Sequence, residues 1–308
     1  MRSSRSGIAW GIAALLALGA AAAATGATTF GVPDPTPPAP ARTPAVSSAP
    51  AAAPAAAPSA ASQADARALF GKAVAALGGK EKIAAVRDVR SRGQVSAQTG
   101  SGEMSLSMET SMIFPDRLAQ QVDGPYGRFA MIATPAGAYL LTDQGPKDLP
   151  TPMRDELLRQ VTRTAFFLMQ KADDPKFRLA LGGEEKVGDV ATRALDVSYG
   201  EVAVRWFVDP ATGRILRSAH DSTSPAGKAV HVVSDFSDFK ADDGGVTLPH
   251  RILVKTEAEP DQTVVLEEIK INPGVDPKLF VRPPPPTPSP LAKGVPVPTP
   301  AATPKPKG

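Results

Sequence analysis

The chain has 308 residues, of which 33 are proline and none is cysteine, so disulfide and thiol chemistry are excluded. The formal net charge of +3 comes from the two ends of the chain, because residues 62–282 hold 28 of the 34 basic and 30 of the 31 acidic residues and carry a net charge of −2. This central segment also shows no cluster of arginines with aromatic residues, so its sequence argues against nucleic acid as a partner.

The N-terminus has the pattern of an export signal. Arg2 and Arg5 precede an apolar run from Gly7 to about Ala24, and small residues follow. We therefore predict a signal peptide at residues 1–27 and a periplasmic location. The alternative is an uncleaved inner-membrane anchor, although a run dominated by alanine makes a poor membrane helix.

Two flanking segments have a composition that is typical of disordered tethers. Residues 28–61 are rich in proline and alanine, and residues 283–308 are again rich in proline. Residues 62–282 remain as one folded domain, which is long enough for a single hydrophobic core.

The domain is predicted to begin with helices. Ala64 to Leu77 offers one broad apolar face and is followed by Gly78 and Gly79, which are typical of a helix C-terminus. A short second turn is expected from Glu81 to Val86.

Residues 104–114 read MSLSMETSMIF, a pattern that suits a strand better than a helix. With a period of two, serines and Glu109 face one side, and the other side carries Met104, Leu106, Met108, Thr110, Met112 and Phe114. The strand is predicted to pair with Val89–Ala97 across the turn TGSG. Its apolar face suits either a closed core or an open pocket, and the adaptable methionine side chain favours a ligand of variable shape.

Further strands are predicted at 118–122 and 128–133. A hairpin follows in which 202–208 turns through Asp209 to Gly213 and returns from Arg214. The segments 228–240, 246–258 and 261–271 complete an antiparallel series, with DDGG at 242–245 as another turn.

One helix is expected to interrupt the strands. Thr151 is the predicted cap, Pro152 the first helical residue, and the helix is predicted to run to about Lys171. Its C-terminal half is apolar nearly all round, which suits either ordinary core or a lid over an apolar cavity.

The sequence offers no constellation that is typical of catalysis. The histidines, His220, His231 and His250, match no compact zinc pattern, and no serine lies in a nucleophile elbow. The sequence also lacks the pattern of a phosphate-binding loop. Neighbouring pairs of acidic residues lie in predicted loops or turns, where exposure to solvent explains them without catalysis. We therefore expect no catalytic residue, metal site or cofactor, and we expect that the protein is not an enzyme.

Four stretches together resemble the LolA/LolB-like superfamily of periplasmic carriers linked to outer-membrane lipoprotein sorting: FGKAVAALGGKEKIAAVRDVRSRGQV, RWFVDPATGRILRS, VSDFSDFKADDGGVTLPHRI and LEEIKINPGVDPKLF. The resemblance covers nearly the whole domain. It implies an α+β, mainly antiparallel fold, in which an incompletely closed β-barrel, a LolA-like half barrel, is covered by helices and holds acyl chains in an apolar interior.

The resemblance favours the pocket over the closed core. We therefore expect an exported, periplasmic protein that binds lipid or lipoprotein acyl chains and meets membranes transiently or through the N-terminal anchor. The expected lining consists of Met104, Leu106, Met108, Met112, Phe114, Phe129, Met131, Phe167 and Trp206. The alternative is a non-catalytic envelope interaction module with a solid core, whose proline-rich arms bind protein partners.

Overall fold

A computed structural model describes residues 60–100, 102–125, 127–223, 228–257 and 259–284. The predicted signal peptide, nearly all of the predicted linker and most of the predicted tail lie outside these residues. None of the helices in the described ranges is long and apolar enough to cross a membrane.

The α-helices of the described residues lie in two places along the chain, and two short 3-10 helices lie at Asp243–Gly245 and Pro277–Phe280. The first pair consists of α1 (Ala60–Leu77) and α2 (Lys80–Ala85), and the second pair of α3 (Thr151–Thr162) and α4 (Ala165–Gln170). The two helical segments predicted at the start of the domain are confirmed, and α1 begins four residues earlier than predicted.

The strands form one antiparallel sheet that is not closed. Along the described chain they are β1 (Asp88–Thr99), β2 (Gly102–Ile113), β3 (Arg117–Gly124), β4 (Gly127–Thr134), β5 (Gly137–Thr142), β6 (Gly145–Asp148), β7 (Phe177–Val187), β8 (Val190–Tyr199), β9 (Val202–Val208), β10 (Ile215–Thr223), β11 (Ala229–Ala241), β12 (Thr247–Thr256) and β13 (Gln262–Ile271). Their spatial order is β6-β5-β4-β3-β2-β1-β13-β12-β11-β10-β9-β8-β7. The prediction of a mainly antiparallel, incompletely closed sheet is confirmed.

The predicted hairpins have the expected register. Val89 lies opposite Met112 and Ala97 opposite Met104, so β2 alternates as predicted, with Leu106 buried between exposed serines. Strands β3 and β4, the β9–β10 hairpin and the series β11 to β13 are also present. Strands β5 to β8 were not predicted.

The prediction of one helix from Thr151 to Lys171 is wrong. The helix stops after Thr162, and α4 begins at Ala165 with Thr164 as its cap, whose Oγ1 accepts a hydrogen bond from the Phe167 amide at 3.3 Å. A threonine side chain at such a position offers the backbone an alternative to continuous helix. The predicted cap Thr151 is instead the first helical residue of α3, preceded by Pro150.

Two clusters of buried apolar side chains lie on the face of the sheet that the helices cover. The first core cluster lies between α3 and the strands around β2 and β3; its members include Met108, Leu118, Val122, Leu157 and Val161. The second core cluster lies under α1, α2 and α4; its members include Phe70, Phe166, Leu168, Leu195 and Trp206. Four partly buried residues contact both clusters: Val89, Phe114, Leu248 and Ile271.

Candidate functional site

A mainly apolar cavity of about 170 Å³ lies at the seam between the two core clusters. Its wall comes from the C-terminal half of α1, the α3–α4 connection, the ends of β1 and β2, and strands β9 to β13. The apolar side chains that line it include Ala73, Leu77, Met112, Phe114, Phe166, Trp206, Ile215, Phe236, Phe239, Leu248, Ile252, Leu266 and Ile269.

Strand β10 forms one long side of this cavity. A register shift between Ile215 and Arg217 marks a bulge, so Ile215 and the later residues Ser218 and His220 all line the cavity despite their mixed parity. From Ile215 to His220 the strand rises by about 16 Å. The cavity therefore borders β10 along much of its length.

Close packing of α1 onto the β9–β10 turn closes one side of the cavity. Gly213 has φ +75°, and a Cβ atom there would lie 2.4 Å from the Lys72 carbonyl oxygen, so only glycine fits under the helix. The Lys72 ammonium donates a hydrogen bond to the Pro210 carbonyl oxygen at 2.8 Å. At the same end, the exposed Arg214 guanidinium lies 5.0 Å from the centre of the Phe239 ring.

The structure distributes the predicted pocket residues over three places. Met112, Phe114 and Trp206 line the cavity. Phe167 lies in the second core cluster, where its ring meets Tyr199 edge-on at 5.7 Å. The remaining five lie in or against the first core cluster: Met104, Leu106, Met108, Phe129 and Met131. Ligand binding by any of the nine stays a prediction.

The sequence reasoning missed most of the lining. Phe166 contributes to the wall where Phe167 was expected, because the helix break at Thr164 rotates the apolar face of α4. Leu248, Ile252 and Ile269 belong to strands that were predicted, but no face was assigned to them from the sequence. The register shift between Arg92 and Gly93 places a bulge opposite β13, so alternation alone would not have put Leu266 and Ile269 on the same face.

His220 is the buried polar side chain at the far end of the cavity. It is 8 % exposed, and its Nε2 has no hydrogen-bond partner within the described part of the chain. Burial, and secondly the positive charge of Arg163, lower the pKa of His220 to about 3. The imidazole is therefore neutral at physiological pH.

A buried ionic cluster beside His220 ties α3 to β10. Glu156 Oε1 accepts hydrogen bonds from Arg163 Nη1 at 2.5 Å and from Ser222 Oγ at 2.7 Å, and Glu156 Oε2 accepts one from Arg159 at 2.8 Å. Arg163 Nη2 also donates to the Asp221 carbonyl oxygen at 3.0 Å. The side chains of Glu156 and Arg163 are both more than nine-tenths buried, so each depends on the other for its charge balance.

The sheet splits beside this cluster. Pairing of β9 with β10 ends at Arg205 opposite Ala219, although β9 starts at Val202 and β10 runs on to Thr223. A larger, polar groove of about 910 Å³ lies at this split. His220 and Arg163 line both the groove and the apolar cavity.

The other two histidines lie elsewhere. His231 is half exposed on the outer face, and its Nδ1 lies 2.8 Å from Asp221 Oδ1. The ring nitrogens of His250 lie 2.8 Å from the Leu266 carbonyl oxygen and 2.9 Å from Asp242 Oδ1. The described residues contain no group of three His, Asp or Glu side chains that could hold a metal ion.

Comparison with solved structures finds proteins of similar fold. The chain is similar to a DUF1329 family protein from Desulfovibrio piger (15% identity, TM-score 0.47, 70% of this chain and 97% of that chain). It is also similar to a LolA superfamily protein from Nitrosomonas europaea (12% identity, TM-score 0.47, 70% of this chain and 97% of that chain). A third similar structure is a putative outer membrane lipoprotein-sorting protein domain from Vibrio parahaemolyticus (11% identity, TM-score 0.43, 70% of this chain and 96% of that chain).

No family model matches the sequence, and no curated protein sequence matches it. The similar structures thus include a protein of the superfamily that the sequence motifs resemble. With identities of 15% or less and TM-scores below 0.5, these likenesses carry no conclusion about function.

Proposed function

We propose that this protein is an exported carrier that binds a lipid or lipoprotein acyl chain in the cavity at the seam of its two core clusters. The observation that supports this proposal is the cavity itself, which is mainly apolar and bounded by both helices and sheet. Each methylene group buried there contributes about 0.8 kcal/mol of binding free energy. An acyl chain therefore needs no charge contact to be retained.

The helices act as the cover of this half barrel in the proposal. α1 supplies Ala73, Ala76 and Leu77 to the wall, and the α3–α4 connection and the start of α4 supply Arg163 to Phe166. A cavity of about 170 Å³ is only slightly larger than an engineered protein cavity of about 150 Å³ that admits benzene. A long acyl chain therefore requires these segments to move away from the sheet.

The same site supports a non-catalytic role. Ser91, Ser218 and Ser234 line the cavity together with His220. A neutral histidine with a pKa of about 3 is too weak a base to activate a serine hydroxyl near neutral pH. The cavity therefore suits retention of a chain better than its chemical conversion.

Native mass spectrometry of protein purified from its own envelope tests the proposal. We expect wild type to carry a bound acyl lipid. Ala73→Leu, which places a larger side chain against the cavity, should carry little. Ala75→Leu makes the same change on the exposed face of α1 and should carry as much as wild type.

The contradicting result is a wild-type protein that holds no lipid and binds no fluorescent fatty-acid probe. The protein would then be the alternative, an envelope interaction module with a solid core. Export is proposed on the sequence of residues 1–27 alone, and N-terminal sequencing of the native protein tests it.

A further inference from the structure

His220 faces the inside of the sheet. Side chains alternate along β10, and Ser222, two residues further on, reaches Glu156 of α3 on the side that the helices cover. His220 therefore points towards the same side and lines the cavity there. Its Nε2 is an unused hydrogen-bonding atom at a position that is more than nine-tenths buried, as far as the described residues show.

An unmade hydrogen bond at a buried atom costs free energy, and a bound ligand can recover it. The His220 side chain lines the cavity between its apolar wall and the ionic cluster of Glu156 and Arg163. The arrangement therefore suits a ligand that brings its own hydrogen-bonding group to this point of the cavity.

The position of His220 also gives the ligand a direction. The imidazole lies where the apolar cavity meets the polar groove at the split between β9 and β10. Residues on the cavity side are apolar, such as Ile215 and Trp206, whereas the groove side carries charged residues such as Arg205 and Asp196. A molecule with a chain, a linking polar group and a head fits this sequence of environments.

The charges around His220 indicate an uncharged linking group. The nearest cation is Arg163, which is already paired with Glu156 at 2.5 Å, and Asp221 and His231 lie on the groove side. A carboxylate placed beside a neutral imidazole would compete with Glu156 for the Arg163 guanidinium, and burying it would carry a desolvation cost. An ester carbonyl accepts a hydrogen bond without that cost.

We propose that His220 donates a hydrogen bond from Nε2 to the ester carbonyl of an acyl ligand, whose chain fills the cavity and whose head lies in the groove between β9 and β10. This inference rests on the proposed function, because it names the ligand class of the same cavity. It makes His220 a residue that selects esters of fatty acids over plain hydrocarbons.

Competition binding tests this role. Delipidated protein is loaded with Nile red, which is then displaced by a medium-chain fatty-acid methyl ester or by the alkane of the same length. We expect wild type to bind the ester roughly three- to tenfold more tightly than the alkane, the ratio that one net hydrogen bond supplies. His220→Phe should lose this ratio while its alkane affinity stays within about twofold.

Two further variants serve as controls. His220→Gln keeps an N–H donor and should retain part of the preference, and Gln121→Phe, at an exposed position of β3 that lines neither the cavity nor the groove, should retain all of it. Nitrogen NMR of wild type should show a shift of the His220 Nε2 resonance with the ester and not with the alkane. A purely structural histidine would not show this difference.

The results separate the two proposals. Equal affinity of wild type for ester and alkane, or an unchanged ratio in His220→Phe, overturns the role of His220 and leaves the acyl-binding cavity in place. Binding of neither probe overturns both. Comparison of a diacyl phospholipid with a synthetic diacyl lipopeptide then distinguishes the two sources of the ester.

Discussion

Met108 and Met112 lie four residues apart on the same face of β2, and they are 4 % and 2 % exposed, yet they face different surroundings. Met108 packs into the first core cluster, where α3 covers the sheet. Met112 belongs to the same cluster and also borders the cavity. The comparison teaches that an apolar stripe reports burial, whereas the segment that packs opposite decides between solid core and open space.

The break between α3 and α4 is what separates the two surroundings. Over the first core cluster α3 is continuous, and it even buries an amide pair in which Gln120 donates to Gln160 at 3.1 Å. The helix stops after Thr162, and the residues of the connection and the start of α4, from Arg163 to Phe166, line the cavity instead of filling it.

The largest loss of stability is expected at Glu156, whose ionic cluster ties α3 to β10. Glu156→Gln leaves the buried guanidinium of Arg163 without its counter-charge, which should cost about 3 kcal/mol of unfolding free energy in urea denaturation. The control Glu184→Gln breaks an exposed pair with Arg193 and should cost less than about 1 kcal/mol. Equal losses of unfolding free energy in the two variants would mean that the Glu156 cluster does not stabilise the contact between α3 and β10.

The two methionines permit the same change in both surroundings. Met108→Gln places an amide in closed core and should cost about 1 to 3 kcal/mol in delipidated protein. Met112→Gln should cost less, because water in the cavity can bind the amide, and should lower affinity for a fluorescent fatty-acid probe. The comparison fails if Met112→Gln is the more destabilising change and leaves probe affinity intact.

The buried histidine predicts a smaller effect that depends on pH. The pKa of His220 is about 3 in the folded protein and near 6.5 in the unfolded chain, so the unfolded chain binds the additional proton between these values. Stability from this group is complete above pH 6.5 and declines as the pH falls. Between pH 6 and pH 5 wild type should lose about 1 kcal/mol relative to His220→Gln. Parallel pH profiles would show that His220 is not buried in the neutral form.

The smallest change in stability is expected when the proline-rich C-terminal segment is deleted. The half of the sheet that carries the first core cluster is also covered on its outer face, where Phe280 packs against Ile132 and Tyr139. Arg282 pairs with Asp148 and lies 5.7 Å from the Tyr139 ring centre. Deletion of residues 283–308 keeps these contacts, so Tm should stay unchanged. A drop of several degrees would place the domain boundary beyond residue 282.

Much of the sheet was predictable because its strands alternate and its turns carry glycine, as in the β1–β2 and β9–β10 hairpins. The helix break was not predictable, since neither Arg163 nor Thr164 is a glycine or proline. Strand β7 was missed because its second half, GGEEKV, combines glycines with charges and shows no apolar alternation. The position of the cavity depends on contacts between segments far apart in the chain, such as Met112 and Ile252, which no local pattern encodes.

The methionine methyl groups provide the most direct test of where an acyl chain binds. Delipidated protein labelled at its methionine methyl groups is titrated with a medium-chain fatty-acid ester and followed by NMR. We expect the Met112 resonance to shift strongly, and the resonances of Met108 and Met131, in the first core cluster, to change little. Large shifts at Met108 and Met131 with an unchanged Met112 resonance would contradict the assignment of the cavity as the binding site.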